Sequence, residues 1–546
     1  MQEIVEKVQE VIKNLYDLDF EPELVPAPEN IEADYSLNVP LKLAKGLHKP
    51  PMQIAEEIKA ELKGAEVTAP GFLNFNLSSE YLFGKIRDLG VNFEENISLD
   101  EYTGKTVICE FSDPNPFKVL HVGHLYTSVV GDAISRLFEY AGARVIRANF
   151  GGDVGLHVAK TLYILEQKDL PDFAIEDIAK CYVEGTAAYE DDPEAHVKIT
   201  ELNKEIYRIN AEDLHDTKLA EMYWRGRELS YEYFKDFYTT IGVKFDKFYP
   251  ESTVAELGLN KVKEELEKGV YEVSDGAVVF DGEKFGLHTR VFINKEGVPT
   301  YEAKDVGLIF RKWEDYHFDK SVVITGNEQL EYMKVVLKSV EQYASDLVEK
   351  TSHLTHGLVK LPGNVKMSSR KGNFLKAVDV INMVKDELKS AYDSSDEMVA
   401  MAATKYAFLR YKMGGNIVFD PKESVKMTGN SGPYLLYSAV RAKKILQKVN
   451  DESVDGGVGE LSGPERNLAK KILEYKGVLK NAVFEMAPHK VAGYLYELAQ
   501  EFSRFYENCP VAGSEKEAER AQMVKVYLAT MSHGLNILGI NVPEEM

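Results

Sequence analysis

Two short runs in this 546-residue chain carry side chains suited to phosphate chemistry. The first is His121-Val122-Gly123-His124, which opens a stretch of helical apolar spacing that closes at Gly142. A helix N-terminus presents unpaired N–H groups and the positive end of its dipole, so it suits an anion. Imidazoles placed there can donate hydrogen bonds to phosphates as negative charge develops. Gly123 removes a side chain where a nucleotide must come close to the backbone. The second run is Lys366-Met367-Ser368-Ser369-Arg370-Lys371-Gly372, whose cations, hydroxyls and glycine fit a loop that grips phosphate. Each run alone has a plainer explanation, a pair of capped helix histidines or a solvated basic turn. A metal held by the two histidines would need a further ligand, and none stands at suitable spacing. Together, in this order and each beside a predicted strand, the runs are far more specific. No G-x-x-x-x-G-K-[ST] or G-x-G-x-x-G signals another nucleotide fold.

The flanking pattern supplies the scaffold. TVICEF reads as a β-branched strand, SDPNPFKVL as a proline-broken loop, the H-V-G-H stretch as a helix and RVIRANF as a second strand. Strand–loop–helix–strand is a βαβ unit, so a parallel sheet is expected. A charge-rich helical segment at about 157–240 interrupts this α/β pattern as an insertion would. Strand signals return at GAVVFD, TRVFIN and SVVITG, and from residue 376 apolar residues recur at helical spacing almost to the end. Upstream, Ile4, Val5, Val8, Ile12 and Leu15 share one helical face, a second helix is expected near Pro51–Leu62, and VTAPGFLNFNLS alternates like a strand broken by Pro-Gly. The predicted organisation is an α/β protein: a small α+β domain over 1–95, a parallel-sheet domain over 105–375 and an all-α bundle over 376–546.

Composition bounds the setting. The chain is too long for one core, and no window approaches an apolar membrane span. The N-terminus lacks a basic stretch followed by an apolar one, so no secretory signal is expected. Cys109, Cys181 and Cys509 are far apart and show no ligand spacing, which fits a reduced compartment, the cytoplasm, without structural disulfide or zinc. The net charge of −23 argues against general nucleic-acid coating but leaves docking through local basic patches open.

The paired runs resemble the HIGH and KMSKS signatures of class I aminoacyl-tRNA synthetases. Residues around them narrow the resemblance to the arginyl-tRNA synthetase family. Glu110 to Lys118 is similar to that family's E-[FY]-S-[SA]-P-N-x-x-K, NFGGDVG to N-x-x-G-D-[WY]-G, and GVPTYEAKDVG to G-x-x-x-Y-x-T-x-D-[IL]-A. YWRGRELSYEYFKDFYTTIGVKFDKFYPES, GNSGPYLLYSAVRAKKIL and FYENCPV also resemble family stretches, and KMSSRKG is a form the second loop often takes there. The resemblance runs from about residue 105 to the end and is weaker upstream.

It implies a Rossmann-like catalytic domain, a C-terminal anticodon-binding bundle and an N-terminal domain that contacts the tRNA elbow. The activity would be activation of L-arginine by ATP and its transfer to the 3′ end of tRNA(Arg), with no covalent enzyme intermediate and with activation dependent on bound tRNA. ATP would be held by His121, Gly123, His124, Lys366, Met367, Ser368, Ser369 and Arg370. Magnesium would arrive with ATP rather than in a protein cage. Catalysis would fall to His121, His124, Lys118 and Lys366; Lys118 matches a lysine common before the first signature in family members whose second signature lacks its second lysine. Arginine would meet Glu110, Ser112, Asn115, His121, Tyr301, Asp305 and Gln329. Tyr301 and Asp305 are four apart on a predicted helix and would hold the guanidinium. Tyr434, Tyr437, Arg441 and Lys444, with Lys443 beside them, would contact tRNA. A monomer is expected. Val154, His157 and Tyr332 depart from the family's usual residues. The competing readings are another class I synthetase, which the carboxylates of the predicted pocket disfavour, and a non-catalytic RNA-binding paralogue, which would tend to lose the signature side chains retained here.

Overall fold

The computed structural model describes residues 2–28, 31, 33–62, 64–170, 172–363, 375–449 and 459–546. By their contacts they form two compact units. One comprises Met1–Phe93, Lys448–Glu474 and Glu501–Val526, the other Glu94–Gln447, Tyr475–Gln500 and Tyr527–Met546. Helices C-terminal to residue 376 contribute to both.

The smaller unit holds a four-stranded antiparallel sheet in the order Val25–Pro26, Tyr35–Leu37, Phe72–Phe75, Ala65–Thr68. The helices Gln2–Tyr16 and Pro51–Glu61 cover it through Val8, Ile12, Ile54 and Ile58. The alternating segment around Pro70-Gly71 is therefore a hairpin. Asp34, buried in the same unit, accepts a 2.9 Å bond from Arg466 Nε and lies 3.1 Å from Lys470 Nζ.

In the larger unit the chain runs through β1 (Thr106–Glu110), α1 (Val122–Tyr140) and β2 (Arg144–Gly151). Four helices follow, α2 (Leu156–Lys168), α3 (Ile175–Asp191), α4 (Pro193–Ala211) and α5 (Lys218–Ile241), and then β3 (Lys247–Pro250) and α6 (Ser252–Glu267). Three short strands come next: β4 (Glu272–Ser274), β5 (Ala277–Phe280) and β6 (Arg290–Ile293). The chain closes the sheet with α7 (Tyr301–Tyr316), β7 (Lys320–Gly326), α8 (Leu330–Glu341) and β8 (Thr351–His356).

The main sheet is parallel throughout, in the order β8-β7-β1-β2-β3. The chain builds outward from β1 through β2 to β3 and then returns to the other side of β1. The switch between β1 and β7 leaves a crevice at their C-terminal ends, where ligands of open α/β sheets bind. Of the three later strand signals, only SVVITG joins this sheet. GAVVFD and TRVFIN form an antiparallel sheet with β4, because β4 and β5 are joined by the two-residue turn Asp275-Gly276 with φ of 49° and 81°.

The helices α2–α5 enclose their own core, including Val158, Leu162, Ile178, Ile199, Ile206 and Tyr223, and that core also takes in Phe117 from the loop after β1. The helical third of the chain includes Ala377–Tyr392, Glu397–Leu409 and Gly432–Leu446. Among the described residues no helix is long and apolar enough to cross a membrane, and no group of three or more His, Cys, Asp or Glu could hold a metal. All three cysteines are buried and free.

One packing contact fixes the helix that carries Tyr301 and Asp305. α6 and α7 meet through Gly258 and Gly307 with almost no gap: a Cβ on Gly258 would lie 1.8 Å from the Ala303 carbonyl oxygen, and one on Gly307 2.2 Å from that of Val254. Both obstacles are backbone, so relief requires the helices to separate. Gly258→Ala is expected to cost about 1–3 kcal/mol in spite of alanine's better helix propensity, read as a lowered denaturation midpoint.

Candidate active site

The crevice is a cavity of about 550 Å³ lined by the loop after β1, the start of α1, the end of β7 and the first turn of α7. The loop carries three non-glycine residues in the left-handed region, Ser112 (φ 74°), Asp113 (φ 47°) and Phe117 (φ 64°). Such conformations persist only where surrounding bonds over-determine them. Those bonds come from two directions. From β2 and the turn after it, the Phe150 N–H donates to Asp113 Oδ1 (2.8 Å) and the Gly152 N–H to Asn115 Oδ1 (2.7 Å). From α5, Ser230 Oγ accepts the Phe117 N–H (3.0 Å), and the Tyr238 hydroxyl pairs with Ser112 Oγ (2.9 Å) and accepts from Asn149 Nδ2 (3.2 Å). A Cβ on Gly151 would meet the Pro114 carbonyl oxygen at 2.4 Å, so glycine permits the approach. Asp153 is fully buried, accepting from Arg227 Nε of α5 and from Ser252 at the start of α6. NFGGDVG thus clamps loop, insertion and α6 together.

His121 and His124 cap α1 with their rings. The Gly123 N–H donates to His121 Nδ1 and the His121 N–H to His124 Nδ1, both at 3.1 Å, and the rings stack at 3.8 Å. Burial, reinforced by the nearby Lys118 ammonium, lowers His121 to about 4. Burial, followed by His121 itself, takes His124 well below its ordinary value. Both rings are therefore neutral near pH 7, and because each Nδ1 accepts a backbone N–H, each proton sits on Nε2. The cap converts two histidines into two fixed Nε2–H donors. Backbone bonds tie the turn to the chain at 375–377: the Val122 N–H donates to Leu375 O (2.9 Å) and the Ala377 N–H to Leu120 O (3.0 Å). Lys366, Met367, Ser368, Ser369 and Arg370 lie outside the described residues. Lys118 has its ammonium 5.0 Å from the centre of the Tyr182 ring, and burial lowers it to about 8.

The lining also carries an excess of acid: six carboxyl side chains, those of Glu110, Asp113, Glu251, Glu302, Asp305 and Glu328, stand with one guanidinium, Arg290, among the described lining residues. Glu110 Oε2 accepts from Lys312 Nζ at 2.7 Å, with both side chains buried. Arg290 donates to Glu302 (3.1 Å) and lies over the Tyr332 ring at 5.3 Å. The Tyr332 hydroxyl donates to Asp305 Oδ2. Burial raises Asp305 to about 7; the Tyr332 bond opposes the shift and the Glu110 charge adds to it. Glu251 pairs with Lys304, and Lys304 also donates to the Tyr207 hydroxyl at 2.8 Å.

The structure therefore brings Glu110, Ser112, Asn115, His121, Gly123, His124, Tyr301, Asp305 and Gln329 to one cavity. Tyr434, Tyr437, Arg441 and Lys444 lie on the separate helix Gly432–Leu446. There Arg441 donates to the Tyr437 hydroxyl (2.9 Å) and stacks on its ring, whereas Lys443 is engaged with Pro543 O and Glu544. Val154 is buried in the insertion core, and His157 Nε2 pairs with Gly152 O at 2.8 Å. Sequence reasoning missed the pocket roles of Glu251, Arg290, Lys304 and Lys312. For Glu251 a signal existed, since it directly follows a strand at the C-terminal edge of the sheet. The others depend on pairings over long separations.

Comparison with known proteins agrees with this geometry. Residues 92–414 match the family model for tRNA synthetases class I (R), catalytic domain; residues 435–546 match the DALR anticodon binding domain and residues 2–77 the arginyl tRNA synthetase N terminal domain. The chain is 29% identical to an arginine–tRNA ligase of Clostridium botulinum strain Langeland over 97% of both chains. It is 30% identical to that of Bdellovibrio bacteriovorus over 92% of this chain and 91% of the other. Its fold is that of Thermus thermophilus arginyl-tRNA synthetase, with a TM-score of 0.79 at 24% identity and 100% of each chain covered. With a catalytic-domain model matching more than half of its length, the chain belongs to the class I arginyl-tRNA synthetase family.

Proposed function

We propose that this protein activates L-arginine with ATP and esterifies it to the 3′ end of tRNA(Arg), using the crevice between β1 and β7. The observation that carries this reading is that one cavity is lined both by neutral Nε2–H donors at a helix N-terminus and by a group of carboxylates. The donors suit phosphate and the carboxylates a guanidinium.

In the first step the arginine carboxylate attacks the α-phosphorus of ATP and pyrophosphate departs. His121 and His124 donate to phosphate oxygens as their charge grows, Lys118 and Lys366 share the stabilisation of the α-phosphate, and Gly123, Met367, Ser368, Ser369 and Arg370 complete the nucleotide contacts. In the second step a ribose hydroxyl of the tRNA terminus attacks the acyl carbon and AMP leaves. The protein contributes positioning and electrostatics, without a covalent intermediate. Magnesium accompanies ATP. Asp305 and Tyr301 take the guanidinium, with Glu251 joining them. Glu110, Ser112, Asn115 and Gln329 hold the amino-acid end. Asn115 uses its carbonyl oxygen on the Gly152 N–H, so its NH₂ is the group available to a substrate carboxylate.

Tyr434, Tyr437, Arg441 and Lys444 recur along one helical face, and we assign that face to tRNA. Residues 1–95 serve the tRNA elbow, 105–375 the chemistry and 376–546 the anticodon. The enzyme works as a cytoplasmic monomer.

The direct test is esterification of labelled arginine onto total tRNA with ATP and magnesium, beside lysine, cysteine and glutamate. Arginine alone should be charged, and His124→Ala should lower kcat by about 10²-fold or more, the scale of losing one oxyanion-stabilising donor. Charging with a different amino acid would overturn the pocket assignment, and no charging at all would favour a non-catalytic paralogue.

Asp305 supplies a second test. Its carboxyl is raised to about 7 by burial, so below that pH it must lose a proton before it can pair with the guanidinium. Arginine KM should fall as pH rises through 7 and then level off. The value at pH 6 is expected to be about tenfold that at pH 8, and Asp305→Asn should give a high, flat profile.

A further inference from the structure

Lys304 lies one position before Asp305 on α7, yet its ammonium is turned into the protein rather than to solvent, and the residue is 3% exposed. It meets Glu251 Oε1, and its second partner is the Tyr207 hydroxyl at 2.8 Å. The ammonium also lies 5.2 Å from the centre of the Tyr207 ring and 5.4 Å from that of Tyr301. The Glu251 charge keeps this lysine protonated in spite of its burial. Glu251 is itself 2% exposed and lines the cavity. Its other oxygen, Oε2, lies over Gly152: a Cβ built there would stand 2.8 Å from it and 2.9 Å from Asn115 Oδ1. One oxygen of the carboxylate is thus held by lysine while the other is turned toward the residues at the cavity floor. Tyr207 belongs to α4 of the insertion, so the chain of contacts runs from the insertion through Lys304 to a carboxylate of the pocket.

We propose that Lys304, braced by Tyr207, is a positioning residue that fixes the Glu251 carboxylate and so sets the affinity of the pocket for its cationic amino-acid substrate. A carboxylate with two rotatable carbons could turn either oxygen to either side. A buried ammonium on Oε1 removes that freedom before the substrate arrives, which lowers the ordering cost of binding. The pair also leaves Asp305, whose partner is a neutral hydroxyl, as the acid whose charge the substrate must offset. This inference rests on the proposed arginine activation.

The test uses the full chain in steady-state charging with arginine, ATP and tRNA. Lys304→Met is expected to raise arginine KM about tenfold or more, the scale of a lost charge-assisted bond, while ATP KM stays within about twofold. Lys304→Arg, which restores the charge with a different reach, should recover part of the loss. Tyr207→Phe removes one hydroxyl, leaves the ion pair and should raise arginine KM about threefold with kcat kept; it carries the test if Lys304→Met does not fold. The two substitutions combined should be less than additive, because both act through Glu251. A general structural defect would instead lower kcat and raise both KM values together. An unchanged arginine KM in folded Lys304→Met and in Tyr207→Phe overturns the proposal, as does a fall in KM, which would mean that the ammonium competes with substrate. If the unaltered protein charges no arginine, the parent reading fails as well; if it charges arginine and these variants behave as it does, only the present inference fails.

Discussion

A carboxylate cannot be buried at the open edge of a sheet without something to offset its charge. Three of the six carboxylates lining the cavity show how this is met: Glu110 is met by Lys312, Glu251 by Lys304 with Tyr207 behind it, and Asp305, among the described residues, by the hydroxyl of Tyr332. Each of the first two has a lysine that fixes its carboxylate in place. Among the described residues Asp305 has no cation of its own, and burial raises its carboxyl. A guanidinium there would both supply the counter-charge and satisfy the carboxylate in its planar geometry.

The histidines at the start of α1 obey a complementary constraint. Cationic imidazoles at the N-terminus of α1 would add to the positive end of the helix dipole, and burial disfavours them. The neutral rings instead use Nδ1 to satisfy the helix's own N–H groups. Capping and donation are thus one arrangement: the bonds that complete the helix also decide which nitrogen carries the proton. Two neutral donors can meet phosphate without the cost of burying imidazolium.

Much of this was legible in the sequence where local rules apply. The β-branched TVICEF, the Pro-broken loop and the helix opening at His121 follow from spacing within a few residues, and β1, α1 and β2 appear where those rules put them. The helices between β2 and β3 announce themselves by charge-rich helical periodicity. The order of the sheet is another matter, since nothing local says that β7 rather than β3 lies beside β1. The same holds for the ion pairs. Lys312 and Glu110 are 202 positions apart, and Lys304 and Glu251 53 apart, so each partner looks like an ordinary surface charge until the fold unites them. Tyr332 was visible as a departure from the family's common residue, but its bond to Asp305 was not. Resemblance to the family supplied the roles of Tyr301 and Asp305; spacing alone gave only that they share a helical face.

The anchoring of the loop after β1 has a consequence for how this architecture could be rebuilt. Gly226, Ser230 and Tyr238 stand four and then eight residues apart on α5, the first leaving room for the Phe117 ring, the second receiving the Phe117 N–H and the third reaching Ser112 and Asn149. They act as three teeth of a key cut at helical pitch. A deletion that excised α2–α5 would leave a buried N–H unanswered and two left-handed residues, Ser112 and Phe117, without the bonds that hold them. A graft from a relative would fit only if it preserved the phase of those teeth, whatever else it changed. With the ties of Arg227 to Asp153 and of Tyr207 to Lys304, that line of teeth confines the insertion's evolution and engineering to sequence that leaves its inner contacts intact.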